Sequence, residues 1–115
     1  MFAPSMMVAS PYLLLDRARA AMLQIPGVLA SAALPAIAAR PLASAGGICL
    51  REAPGGVIIE CGIVAEATDD LREIAAAVQI AVSRAASSMG ETPSAVNIFI
   101  AAVGERPAEK ASAHV

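Results

Sequence analysis

The chain predicts an α+β fold: a mixed three- to four-stranded sheet with two helices packed on one face. Three observations carry that prediction. An apolar stripe at helical spacing runs from Leu71 to Met89, β-forming runs at Val57–Val64 and Ala95–Val103 flank it, and Ile48–Glu52 precedes the first run across the turn Ala53-Pro54-Gly55-Gly56. So short a turn makes an antiparallel hairpin. A strand–helix–strand unit in one sheet crosses over right-handedly and leaves its end strands parallel. The sheet is therefore expected to be mixed.

The first helix is expected to start at Ser10-Pro11, with Ser as N-cap and Pro in the first helical position, and to run to about Gln24. Leu14, Leu15, Ala18, Ala21, Met22 and Ile25 fall on one face, with Asp16, Arg17 and Arg19 on the other. Pro26-Gly27 stops it. Val28–Ala33 reads as a short strand of weak alternation, and Leu34–Ala45, with Pro35, Pro41 and Ser44, as a mobile connection. Gly46-Gly47 opens the next strand, Ile48–Glu52. Val57–Val64 is the best strand, and Gly62 within it signals a bulge or a close backbone approach.

For the second helix, Thr68 is the expected N-cap, and Asp69, Asp70 and Glu73 place negative charge where the helix dipole favours it. Leu71, Ile74, Ala75, Val78, Ala81, Val82, Ala85 and Met89 form the apolar stripe. Arg72, Gln79, Ser83 and Ser87 form the wet edge. Gly90 closes the helix as a C′ residue. Residues 1–10 read as a flexible N-terminal lead, 11–103 as a single domain, and 104–115 as a disordered tail.

Composition bounds the function. In a chain of 115 residues with 57% hydrophobic but only 3% aromatic residues, alanine carries much of the apolar share, so the core should be thin and close-packed. A net charge of −2 with scattered basic residues removes the electrostatic case for nucleic acid. From Ala20 to Ala39 no residue is charged, close to the length of a membrane span. Gln24, Pro26, Gly27, Ser31 and Pro35 interrupt that run, which argues against spanning. Met1–Leu15 has no Lys or Arg ahead of its apolar part, so no secretory signal is expected and a cytoplasmic location is.

No residue is read as catalytic, cofactor-binding or metal-binding. The sole histidine, His114, lies in the tail, leaving Ser, Cys and Thr without an obvious base. Glu66, Asp69, Asp70 and Glu73 cluster as two candidate hard-cation ligands among four acids, but acidic residues at a helix start account for them. Cys49 and Cys61 read as small core residues; a disulfide requires both thiols on one sheet face, and nothing marks the chain as secreted. Glu60, an acid in an aliphatic strand, is expected either to face solvent or to pair with Arg51 across the hairpin. Gly46-Gly47 and Gly55-Gly56 read as hairpin punctuation rather than a phosphate cradle.

Asn97 sits in a β-run that disfavours asparagine, sharing a face with Phe99 and Ala101. That face is a candidate contact surface for a partner or a second copy. The candidate partner-contact residues are Arg72 and Gln79 on the wet edge of the helix and Asn97 and Phe99 on the strand. Val78→Asp should unfold the domain, and Gln79→Ala should be nearly neutral.

The helix phrase Leu71-Arg72-Glu73-Ile74-Ala75-Ala76-Ala77-Val78-Gln79-Ile80-Ala81-Val82 resembles the signature helix of the bacterial alkaline shock protein family. Val96-Asn97-Ile98-Phe99-Ile100-Ala101-Ala102-Val103 resembles that family's closing strand, and Gly27-Val28 its early Gly-Val. The similarity covers roughly residues 12–103, with Leu29–Ala45 departing from the pattern. It implies a non-enzymatic cytoplasmic protein of cell-envelope homeostasis and stress, a homo-oligomer held near the membrane by a small membrane-protein partner. The alternatives are a small nucleic-acid- or ligand-binding α+β domain, which lacks the basic-flanked Gly-x-x-Gly loop such folds use, and an accessory subunit of an enzyme complex.

Overall fold

The computed structural model describes residues 10–35, 41–67 and 70–105. Its elements follow the order α1 (Pro11–Leu23), β1 (Val28–Ser31), β2 (Ala43–Ala45), β3 (Ile48–Ala53), β4 (Gly56–Glu66), α2 (Leu71–Ser88) and β5 (Ala95–Gly104). The α+β class is as expected. The sheet has five strands, one more than the sequence predicts.

The added strand is β2, inside the stretch expected to be a mobile connection. Ala-Ser-Ala has little β-propensity of its own. It becomes a strand because Gly46-Gly47, with φ of 58° and 83°, forms a two-residue hairpin turn that lays Ala43–Ala45 against Leu50–Ile48. Arg19 of α1 donates from Nε to the Gly46 carbonyl at 3.3 Å, tying the turn to the helix. The glycine pair thus closes a hairpin, the punctuation expected of it, as well as opening β3.

β4 is the organising strand. It pairs antiparallel with β3 over Gly56–Cys61, antiparallel with β1 over Ile63–Ala65, and parallel with β5 over Ile58–Glu66. β1 and β3 therefore follow one another along one edge of β4, and β5 occupies the other edge. Gly62 lies at the junction. Its N–H donates to the Gly47 carbonyl and its carbonyl accepts from the Ala32 N–H, both at 2.8 Å. A β-carbon on Gly62 would overlap the Ala32 carbonyl oxygen and sit 3.4 Å from Leu34 Cδ2. The close backbone approach expected at Gly62 is that of the segment leaving β1.

Strand alternation assigns the two sheet faces. Ile48 and Leu50 of β3 and Val57, Ile59, Cys61, Ile63 and Ala65 of β4 are all buried and share one face. They form a single core with Leu14, Leu15, Ala18 and Met22 of α1 and Ile74, Val78, Val82 and Ala86 of α2. The stripe expected on each helix is the side that is buried. On α2, Ala75, Ala81 and Ala85, which the same stripe included, are half-buried, and Leu71 and Met89 pack against the core rim.

Helix ends differ in detail from expectation. Ser10 is the N-cap of α1, with Pro11 first in the helix, but its side chain makes no capping bond. The N-cap of α2 is Asp70, whose carboxylate accepts from the Glu73 N–H at 3.1 Å. Thr68 and Asp69 lie outside the described residues, so the cap falls two positions later than expected, directly before the first helical residue. At the far end Gly90 N–H bonds to the Ser87 carbonyl and Glu91 N–H to the Ala86 carbonyl, the paired pattern of a glycine-closed helix. The lead over residues 1–9 and the tail from residue 106 also lie outside the described residues. Gly104, expected in that tail, belongs to β5.

Candidate functional site

The sheet face away from the core carries Cys49 and Arg51 from β3, Ile58, Glu60, Gly62 and Val64 from β4, and Asn97 and Phe99 from β5. Parallel pairing sets Asn97 beside Glu60 and Phe99 beside Gly62. The chain leaving β1 rises over Gly62 and brings Leu34 and Pro35 onto this face. They enclose a cavity of about 120 Å³ with Glu60, Asn97, Ile98 and Phe99. Its walls are mostly aliphatic or aromatic, with two polar groups.

One of those groups is already engaged. Arg51 forms a two-bond ion pair with Glu60, Nε to Oε1 and Nη2 to Oε2, each 3.1 Å. The side chains are 26% and 18% exposed, so the pair is partly screened by protein. Arg51 lies opposite Ile58, and its length lets it reach diagonally to Glu60. The expected cross-strand partner of Glu60 is thus in place. Asn97, in contrast, is exposed, and its amide has no hydrogen-bond partner among the described residues. Phe99 is 42% exposed.

The two cysteines lie on opposite sides of the sheet. Cys49 pairs in register with Glu60, and Cys61 with Ile48, whose side chain enters the core. The single-face condition for a disulfide therefore fails, and both thiols are free and buried. Burial pushes the Cys49 thiol up, the Glu60 carboxylate adds to the rise, and Arg51 opposes it. Cys61 is pushed up to about 12 by burial and, secondarily, by Glu60. Thiols so raised stay protonated near neutral pH and are poor nucleophiles.

Of the four expected contact residues, Asn97 and Phe99 come together at this cavity. Arg72 and Gln79 are exposed on α2, which belongs to the core side of the sheet. One flat surface does not present all four. Gln79 is also engaged: its Nε2 donates to the Val96 carbonyl at 2.8 Å, tying α2 to β5. Leu34, Pro35 and Glu60 were not expected at a contact surface. Gly62 was the available signal that a segment crosses here, but spacing alone does not say which one.

A second, wider depression of about 330 Å³ lies between Pro26, Gly27, Glu66, Ala67 and Ile74. Among the described residues that line it Glu66 alone is ionisable, and no base–nucleophile pair of described residues converges on it. Among the described residues no group of three His, Cys, Asp or Glu side chains is placed to hold a metal ion. Of the acidic cluster near α2, Asp70 serves instead as the helix cap. No helix among the described residues is long and apolar enough to cross a membrane. The chain matches no protein-family model, and neither a curated protein nor a solved structure is significantly similar to it.

Proposed function

We propose that this chain is a non-enzymatic scaffold or interaction protein of the alkaline shock type, acting in cell-envelope homeostasis or stress through protein–protein contacts. It works in the cytoplasm as a homo-oligomer beside the membrane, held there by a small membrane-protein partner, and engages neither nucleic acid nor a cofactor. The observation that supports this reading is the half-covered sheet face. There an exposed Phe99, and an Asn97 whose amide has no hydrogen-bond partner among the described residues, border a small apolar cavity. Aromatic side chains beside a pocket are the usual anchors of protein interfaces.

The partner inserts an apolar side chain beneath Leu34 and Pro35 and covers Phe99. A cavity of about 120 Å³ is of the order of one aliphatic side chain, not a cofactor. Arg72 lies on the other layer and serves as a separate, polar contact.

Crosslinking of the tagged full chain in cells, followed by co-purification and mass spectrometry, tests the reading against Phe99→Glu. A small membrane protein captured by the wild type and lost from the folded variant is the expected result. Capture of nucleic acid, or of a stoichiometric catalytic subunit, would overturn it.

A further inference from the structure

We propose that two copies of this chain associate through the outward side of α1, antiparallel, with Asp16 of each copy pairing with Arg19 of the other. The inference rests on the interaction reading above, because it gives the homo-oligomer in that reading its contact. It lies on the helix layer, away from the sheet face that carries Phe99 and the partner cavity.

α1 is apolar on two sides. Leu14, Leu15, Ala18 and Met22 enter the core. Yet Tyr12 is 60% and Leu23 37% exposed, and Leu13 and Ala20 are exposed with them. A helix that only covers a sheet turns polar residues outward. Large apolar side chains gathered on the outer side of a helix mark a contact surface instead.

At the helical repeat, Tyr12, Asp16, Arg19 and Leu23 fall in one stripe about 60° wide. Apolar residues hold its ends and opposite charges its middle, each pair equally far from the midpoint between Arg17 and Ala18. That symmetry selects the occupant. A second α1 laid antiparallel puts Tyr12 against Leu23 of the other copy and Asp16 against Arg19, each contact made twice. A parallel copy would face Asp16 with Asp16 and Arg19 with Arg19, so charge sets the direction. Ala20, close to the midpoint, is small enough to let the two helix axes approach to about 8–10 Å.

The charges are placed for an external partner. Asp16 makes no hydrogen bond or ion pair among the described residues. Arg19, three residues on, is turned aside, since its Nε donates to the Gly46 carbonyl at 3.3 Å. That bond holds the guanidinium beside the β2–β3 turn and leaves its two terminal nitrogens for an approaching acid. Holding it reduces the side-chain entropy that ordinarily cancels a surface pair. β2 packs against α1, and Leu42 just ahead of it is exposed, which widens the apolar surface there. A single helix pair is still smaller than the roughly 800 Å² per partner of a standard interface. The association is therefore weak and reversible.

Sedimentation equilibrium on the full chain, across a hundredfold range of concentration, tests the pairing by charge exchange. Asp16→Arg sets a guanidinium opposite Arg19, and Arg19→Asp sets a second carboxylate opposite Asp16. Each should weaken association about tenfold or more while the thermal melt stays cooperative. Mixed in equal amounts, the two variants should associate about as well as the wild type, because each supplies the charge the other lacks at both contacts. Raised salt should weaken the wild-type association. Tyr12→Glu, at an exposed position, should give a folded monomer. A wild type that is monomeric throughout would overturn the proposal, as would single variants that associate like the wild type, or a mixture no tighter than its components. A monomeric wild type that still captures a membrane protein would defeat this proposal and spare the partner contact; a dimer that captures none would do the reverse.

Discussion

Gly62→Ala sets two effects of known sign against each other. At an unstrained backbone position, alanine in place of glycine stabilises by about 0.4–1 kcal/mol, because the unfolded chain has less freedom to lose. Gly62 does not have a positive φ, so that gain applies. Against it, the new methyl would overlap the Ala32 carbonyl oxygen and lie 3.2 Å from the carbonyl carbon. Both obstacles are backbone, so no side-chain rotation relieves them. Overpacking of this kind costs about 1–3 kcal/mol. Displacing Ala32 also breaks its 2.8 Å bond to the Gly62 carbonyl, a loss of about 0.5–1.5 kcal/mol. The steric side wins, with a net destabilisation of about 1–3 kcal/mol. In a domain this small that lowers Tm by roughly 5–15 °C. Calorimetry measures the shift, and hydrogen exchange should show the Ala32 amide losing protection. A variant that melts at or above the wild-type temperature would refute the crossing of Ala32 over β4.

Three further outcomes are expected. Val78 is fully buried in the middle of α2, so Val78→Asp puts an unpaired charge into the core and should abolish cooperative thermal unfolding; an unchanged melt would show the buried side of α2 to be misassigned. Gln79→Ala loses the bond to the Val96 carbonyl and should cost about 0.5–1.5 kcal/mol in urea unfolding, where sequence alone predicts near neutrality. Cys61 titrates near 12 when folded against an ordinary 9.0. Its folded pKa is raised, so the stability it contributes is complete below pH 9 and declines above it, by up to about 1.4 kcal/mol per pH unit, as the unfolded thiol ionises first. Melts between pH 8 and 10.5 should show that decline in the wild type and a shallower one in Cys61→Ala; equal slopes would place the thiol outside the core.

Periodicity by itself determined most of the frame. The α2 stripe from Leu71 to Met89, the β3–β4 hairpin and the parallel return of β5 rest on apolar spacing, turn residues and chain direction, all local in sequence. Pairing of Arg51 with Glu60 was also within reach, because a short hairpin turn leaves few registers. Tertiary structure alone decided three matters. Ala43–Ala45 became a strand through its neighbour and not its composition. The thiols of Cys49 and Cys61 were separated by register, since a shift of one residue turns a side chain to the other face. Leu34 and Pro35 reached Asn97 and Phe99 because the chain leaves β1 over a glycine some thirty residues further along. The physical reason is common to all three. Helical and strand periods report which side of an element is apolar, but which distant segment covers that side depends on non-local packing that no window of sequence contains.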